Sequence, residues 1–215
     1  MWAAPSTLWT TGCACGPRRL PLLRDASYID VVKRTLYNTV RAGISMQGNT
    51  YFYVNPLEVW PARRLEHTSC AHVKPVRQKW FDVACCPTNI VRTFTSLGQY
   101  IYSADESSLF VNLFIRNEAD FSMNGRPVHL SLETDYPRTG RVAFGVSTDG
   151  GPFRLCLRIP GFAERWSVLV NGEPVACTPE KGYFCIDRTW NSGDTVSLEF
   201  DVRPRFVFAN PAVHA

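Results

Sequence analysis

Two cysteines stand side by side in "WFDVACCPTNIVRTF", residues 80–94, just ahead of a proline and an apolar helical run. Adjacent thiols admit three chemistries. A vicinal disulfide would have to span consecutive Cα atoms about 3.8 Å apart across a trans peptide, below the ~4.4 Å lower edge of ordinary disulfides. It would therefore need a distorted peptide. Alternatively, Cys85 and Cys86 are small hydrophobes packed at a helix start. The third option is a thiolate site. Pro87 suits the first helical position, where its missing N–H is no loss, which makes Cys86 the N-cap. The free N–H groups of Thr88 and Asn89 and the helix dipole then favour negative charge. Such a setting lowers a thiol pKa, and the thiolate is both nucleophile and metal ligand. Two neighbouring thiolates repel unless a soft cation lies between them, and zinc is the natural one. Residue types alone leave packing and thiolate chemistry both open.

Zinc takes about four ligands. The nearest further candidates, Glu66, His67, Cys70 and His72, fall in an irregular stretch, and "HTSCAH" matches no standard zinc spacing. Cys13 and Cys15 lie further off. Asp82, three residues before Cys85, reads as a loop or cap residue, and Asn89 as helix-start scaffolding. Arg77 and Trp80 are placed to shape the approach to Cys85.

The elements that would position these groups change period along the chain. From Ala26 to about Ala104 the helical period dominates. Ile29, Val32, Leu36, Val40 and Ile44 form one amphipathic stripe, with Ser27 as N-cap and Gly43 as terminator. "ISMQGNTYFYVNP" reads as a small hairpin turning at Gln47-Gly48-Asn49. Residues 56–79 have no clean period and form a long loop, which in compact domains is usually functional or disordered. A second helix follows Pro87, with Ile90, Phe94, Leu97 and Ile101 on one face. Beyond Asp105 the period becomes two. Seven short strands, separated by signals such as Asn124-Gly125 and Asn171-Gly172, argue an antiparallel β-sandwich. The expected domains are 1–104, of which 1–24 are atypical, and 105–215, a sandwich incomplete at its end.

Composition narrows the function classes. The 45% hydrophobic and 20% charged content suits a globular protein. Net charge is +4, carried by scattered arginines without a long basic run, so no nucleic-acid partner is expected. No stretch approaches the ~18 apolar residues that span a bilayer, so no membrane role is expected. The N-terminus lacks the form of a signal peptide, which makes a cytoplasmic location the expectation. The eight cysteines should then be mostly free thiols, with Cys156 and Cys185 in strand-like core positions.

"YFYVNPLEVWP" followed by "RQKWFDVACCPTNI" resembles glycoside hydrolase family 127, the β-L-arabinofuranosidase-like enzymes, from about Asp25 onward. "RIPGFAERWSVLVNGEPV" and "WNSGDTVSLEFDV" look like that family's sandwich domain. The resemblance implies a mixed, multidomain fold, here a fragment of an (α/α)6 barrel followed by an antiparallel β-sandwich. It implies retaining hydrolysis of terminal β-L-arabinofuranosyl units, in which a metal-tuned thiolate replaces the usual carboxylate nucleophile. Cys85 matches the nucleophile, and Cys85 and Cys86 match two of four zinc ligands. Tyr53 matches a tyrosine lining the sugar site, and Glu58 and Trp80 are candidate substrate contacts. The implied partner is an arabinose-containing oligosaccharide or glycoconjugate.

The chain departs from the family where a Glu-x-Cys pair and an acid/base glutamate would stand, because "WTTGCACGPRRLPLL" contains neither. It is therefore expected to be a truncated, inactive fragment. Apolar faces left by missing barrel helices would favour association, for example as a homodimer. The competing expectation is a non-catalytic carbohydrate-binding or interaction β-sandwich.

Overall fold

A computed structural model describes residues 24–54, 73–82, 84–208 and 210. The described residues fall into two compact units. Those of Val31–Leu97 and Phe206–Ala215 form one, and those of Arg18–Asp30 with Gly98–Arg205 form the other. Among the described residues strands outnumber helices.

Helix α1, Ala26–Arg34, is capped by Asp25 rather than Ser27. The Asp25 carboxylate accepts from the Ser27 amide at 2.9 Å and its hydroxyl at 2.6 Å, a use of Asp at helix starts that matches Ser in strength. The single long helix expected here is interrupted, because Thr35–Val40 winds as a π-helix. The wider turn rotates the apolar stripe, so Thr35 is buried and Leu36 only partly. After Gly43 the chain turns at Ser45–Thr50, where the Ser45 amide donates to the Thr50 carbonyl and Gly48 has φ 73°. This is the small hairpin read from the sequence. The second helix comes as two pieces, α2 (Cys85–Thr95) and α3 (Gly98–Ile101). On α2 the buried face is Cys86, Ile90 and Thr93, while Phe94 is exposed.

Ten strands make up the sheet unit: β1 Tyr102–Ala104, β2 Ser108–Val111, β3 Asn117–Met123, β4 Arg126–Thr134, β5 Arg141–Thr148, β6 Gly151–Arg158, β7 Trp166–Val170, β8 Glu173–Pro174, β9 Tyr183–Trp190 and β10 Thr195–Phe200. They form a four-stranded sheet, β1-β2-β6-β9, and a six-stranded sheet, β3-β4-β5-β10-β7-β8. Alternate residues of both sheets enter one core, for example Leu109, Leu155 and Phe184 from the first and Leu130, Phe144 and Leu198 from the second. The expectation of a purely antiparallel arrangement is corrected at one pair. β2 and β6 run parallel, Ser108 opposite Arg154 through Val111 opposite Leu157. The intervening chain builds three strands of the other sheet before returning, a connection long enough for a parallel crossover.

On its other face the four-stranded sheet carries Phe110, Cys156 and Tyr183, packed with Ala26 of α1. The Ala26 amide donates to the Lys181 carbonyl at 2.9 Å. Gly182, at φ 79°, lets the two approach, since a Cβ there would stand 2.6 Å from that of Ala26. Arg158, fully buried, donates to the Asn112 carbonyl at 2.5 Å and to Asp30 at 2.7 Å. The second Asp30 oxygen accepts from the Gly161 amide at 3.1 Å. Burial pulls the Arg158 pKa down against the opposing pull of Asp30. Cys156 and Cys185, directly opposite on β6 and β9, are joined as a disulfide. This corrects the expectation of free thiols at those positions, because register brings together two cysteines that are 29 residues apart in sequence.

Candidate active site

Helix α2 starts two residues earlier than its proline suggested. Ala84 is the N-cap, Cys85 and Cys86 occupy the first two helical positions and Pro87 the third. The correction has a simple cause: no N–H in a first turn has an intrahelical acceptor, so Pro is tolerated at any of these positions. The first two amides of the helix are thus those of the two cysteines themselves. Thr88 closes the start by donating its hydroxyl to the Ala84 carbonyl at 2.7 Å, and Asn89 donates to the Cys85 carbonyl at 2.8 Å. Asn89 is the scaffold the sequence suggested.

The two thiols are unequal. Cys85 is exposed and Cys86 fully buried, and their sulfurs lie 3.8 Å apart, in hydrogen-bond contact and not joined as a disulfide. A tetrahedral metal with sulfur ligands at ~2.3 Å sets its sulfurs about 3.8 Å apart. The pair therefore fits two corners of a zinc site. Among the described residues no group of three or more His, Cys, Asp or Glu could hold a metal. Glu66, His67, Cys70 and His72, like Glu58, lie outside the described residues.

Tyr51 and Tyr53 face the sulfurs from the segment after the hairpin. Tyr51 bridges Ile44 on one side and Gln78 on the other, exchanging two 2.9 Å backbone hydrogen bonds with Gln78. That pairing brings the approach to α2 alongside the tyrosines. Tyr51, Phe81 and Cys86 form one buried cluster, with Tyr53 packed on it. The Phe81 ring lies 5.3 Å from that of Tyr51 and 6.0 Å from that of Tyr53. The Cys86 thiol points at the Tyr53 carbonyl at 3.9 Å. Burial pushes the Tyr53 phenol up, helped by the charges of Cys85 and Cys86 and a hydrogen bond with Cys85. Tyr51 is pushed up by burial first and then by Cys86.

Tyr53 is thus brought to both thiols. Trp80 is 55% exposed, and among the described residues no hydrogen bond or ring contact holds it. The Arg77 guanidinium donates to the Ala42 carbonyl at 2.7 Å and lies over the Phe52 ring at 4.7 Å. It fastens the hairpin to the end of the first helical segment. Asp82 sits in the left-handed region at φ 60°, at the corner that turns the chain into α2. Sequence reasoning missed Tyr51 and Phe81. The signal was the alternation Tyr51-Phe52-Tyr53, which puts both tyrosines on one side of an extended segment.

Two family models match the chain. Residues 17–99, which carry the sulfurs and tyrosines, match the GH127 β-L-arabinofuranosidase catalytic domain, and residues 108–202 match its middle domain. The chain belongs to glycoside hydrolase family 127. A non-reducing end β-L-arabinofuranosidase of Bifidobacterium longum is 35% identical over 206 residues, covering 91% of this chain and 30% of that protein. The crystal structure of a GH127 β-L-arabinofuranosidase from Geobacillus stearothermophilus T6 superposes with a TM-score of 0.85 at 42% identity, over 96% of this chain and 32% of that one. A second GH127 β-arabinofuranosidase gives 0.86 at 32% identity, over 97% of this chain and 34% of that one. The chain thus spans about a third of the length of these GH127 relatives. No helix among the described residues is long and apolar enough to cross a membrane.

Proposed function

We propose that this chain carries the sulfur half of a retaining glycosidase site that removes terminal β-L-arabinofuranosyl units from an oligosaccharide or glycoconjugate. The observation that carries the reading is the exposed Cys85 sulfur at the start of α2, 3.8 Å from a buried partner thiol, inside the stretch that matches the family's catalytic domain. Further support comes from the relatives, which are β-L-arabinofuranosidases.

In this reading the Cys85 thiolate attacks the anomeric carbon. A C–S bond forms as the C–O bond to the leaving group breaks, and a general acid protonates the departing oxygen. Water then displaces the sulfur, giving its proton to the conjugate base, and two inversions leave the configuration retained. Cys86 and Cys85 would hold zinc, which when bound supplies positive charge that keeps both sulfurs ionised. Tyr53 lines the sugar side of Cys85, and Glu58 and Trp80 are proposed to contact substrate. The helical segments are proposed to be part of an (α/α)6 barrel preceding the sheets. No residue of this chain matches the acid/base role, so the 215-residue chain alone is proposed to be inactive, general-acid help being worth about 10²–10⁴-fold.

The test is release of L-arabinose from an aryl β-L-arabinofuranoside by a protein of the relatives' length that contains this chain. Cys85→Ala should lower turnover by at least about 10³-fold, whereas an active Cys85→Ala variant removes the nucleophile assignment. Clear turnover by the 215-residue chain would overturn the second half of the reading.

A further inference from the structure

Two neighbouring thiols on one helical turn should compete for the same electrophile, and the reading above needs only one of them to attack. Cys86 is 0% exposed, and the rings that share its cluster, Tyr51 and Phe81, are themselves 5% and 6% exposed. Both are held firmly: Tyr51 has a backbone bridge on each side, and the Phe81 ring packs tilted against both tyrosine rings, at 5.3 and 6.0 Å. The Tyr53 carbonyl takes the thiol's direction at 3.9 Å. Sulfur against aromatic rings is a favourable contact, and a thiol kept from solvent is chemically inert.

We propose that Tyr51 and Phe81 are positioning residues that wall off Cys86, so that Cys85 alone of the pair meets an incoming electrophile. The proposal rests on the reading of Cys85 as nucleophile for its purpose, but its content is accessibility, which is measured without any sugar. The Tyr51 ring fills the space while its hydroxyl accepts from the Phe81 amide, so phenylalanine, which keeps the ring, can replace it and alanine cannot.

The experiment is brief alkylation of the native chain with iodoacetamide after dialysis against EDTA, so that no bound metal shields both sulfurs. Each labelled thiolate forms a C–S bond and releases iodide, and fragment-ion mass spectrometry assigns the label to position 85 or 86. In the wild type Cys85 should react at least about tenfold faster than Cys86. That ratio should persist in Tyr51→Phe and fall to within about twofold in Tyr51→Ala, with exposed Cys177 as the internal rate reference. Phe81→Leu, a milder cut, should lower the ratio part-way, which covers the case in which Tyr51→Ala fails to fold. Equal labelling of the two wild-type cysteines overturns the proposal. So does a folded Tyr51→Ala variant with the wild-type ratio. Failure of the glycosidase reading would leave both ratios unchanged, so the two outcomes are separable.

Discussion

In the sheet unit, fully buried Leu109, Leu130, Leu155 and Phe184 from two sheets share one continuous core, and strand pairing satisfies backbone groups along whole edges. Around the sulfurs the described residues offer one small buried cluster, Tyr51, Phe81 and Cys86, steadied by single-residue bridges rather than ladders. The extended core and the proposed chemistry therefore fall in different regions. The sheet unit supplies cooperative burial of the kind that dominates folding free energy. The sulfur region supplies a reachable thiol at a helix start, and its local opening free energy should lie at the low end of the range.

The sharpest way to break this contrast is at Asp30, which answers the buried Arg158 guanidinium at 2.7 Å and the Gly161 amide at 3.1 Å. Asp30→Ala leaves a buried cation with the Asn112 carbonyl and the Phe114 ring but no ion-pair partner among the described residues, a change worth about 3–5 kcal/mol. Urea unfolding followed by tryptophan fluorescence should report it, since Trp190 is fully buried in the sheet unit. Pairing it with Arg158→Met, which removes the charge as well, should recover part of the loss. A loss below about 1 kcal/mol for Asp30→Ala would mean that this ion pair does not hold the start of α1 to the sheets.

What could be read beforehand follows the same division. The alternating strands and their turns were legible because the signals are local: Asn124-Gly125 and Asn171-Gly172 each adopt paired positive φ, 51° and 75° in the first and 52° and 84° in the second. β3, "NEADFSM", fell outside the seven expected strands because it is an edge strand rich in Asn, Glu and Asp, types depleted from strands. The parallel β2–β6 pair and the Cys156–Cys185 bond depend on register between distant segments, which no local window contains. At the sulfurs the cysteine pair stood out from spelling and Tyr53 only through the family resemblance. Tyr51 and Phe81 did not, because their role depends on the pairing of Tyr51 with Gln78, 27 residues on.

A middle-sized effect is expected from acid. Burial alone would raise the Asp194 carboxyl, but the Asn191 amide, the Asn171 side chain and Arg188 outweigh it and hold its pKa below the ordinary value. Asp105 behaves alike, with the Ser107 and Ser108 amides overcoming its burial. Folded pKa values that are depressed contribute stability above the unfolded value of about 3.9, and that contribution is lost as pH falls through the folded value. The urea midpoint of the sheet unit should therefore drop below about pH 4. Asp194→Asn should flatten that dependence while costing about 1–2 kcal/mol at neutral pH. An Asp194→Asn variant with an unchanged acid profile would show that the sheet unit loses stability through other groups.

The smallest effect sharpens the comparison from the sulfur side. Asn89 donates to the Cys85 carbonyl at 2.8 Å and accepts from Arg92 at 2.6 Å, on the exposed side of the first turn of α2. Asn89→Ala removes a brace worth about 0.5–1.5 kcal/mol. If the two regions open separately, that loss belongs to α2 alone. Amide exchange across residues 88–92 should quicken by up to about tenfold, while β4 and β5 amides and the urea midpoint stay where they were. Equal acceleration in helix and sheets would instead mean that the thiol-bearing turn opens only with the whole protein. The exposed sulfur would then draw its rigidity from the sheets, and the division between a stable region and a reactive one would fail.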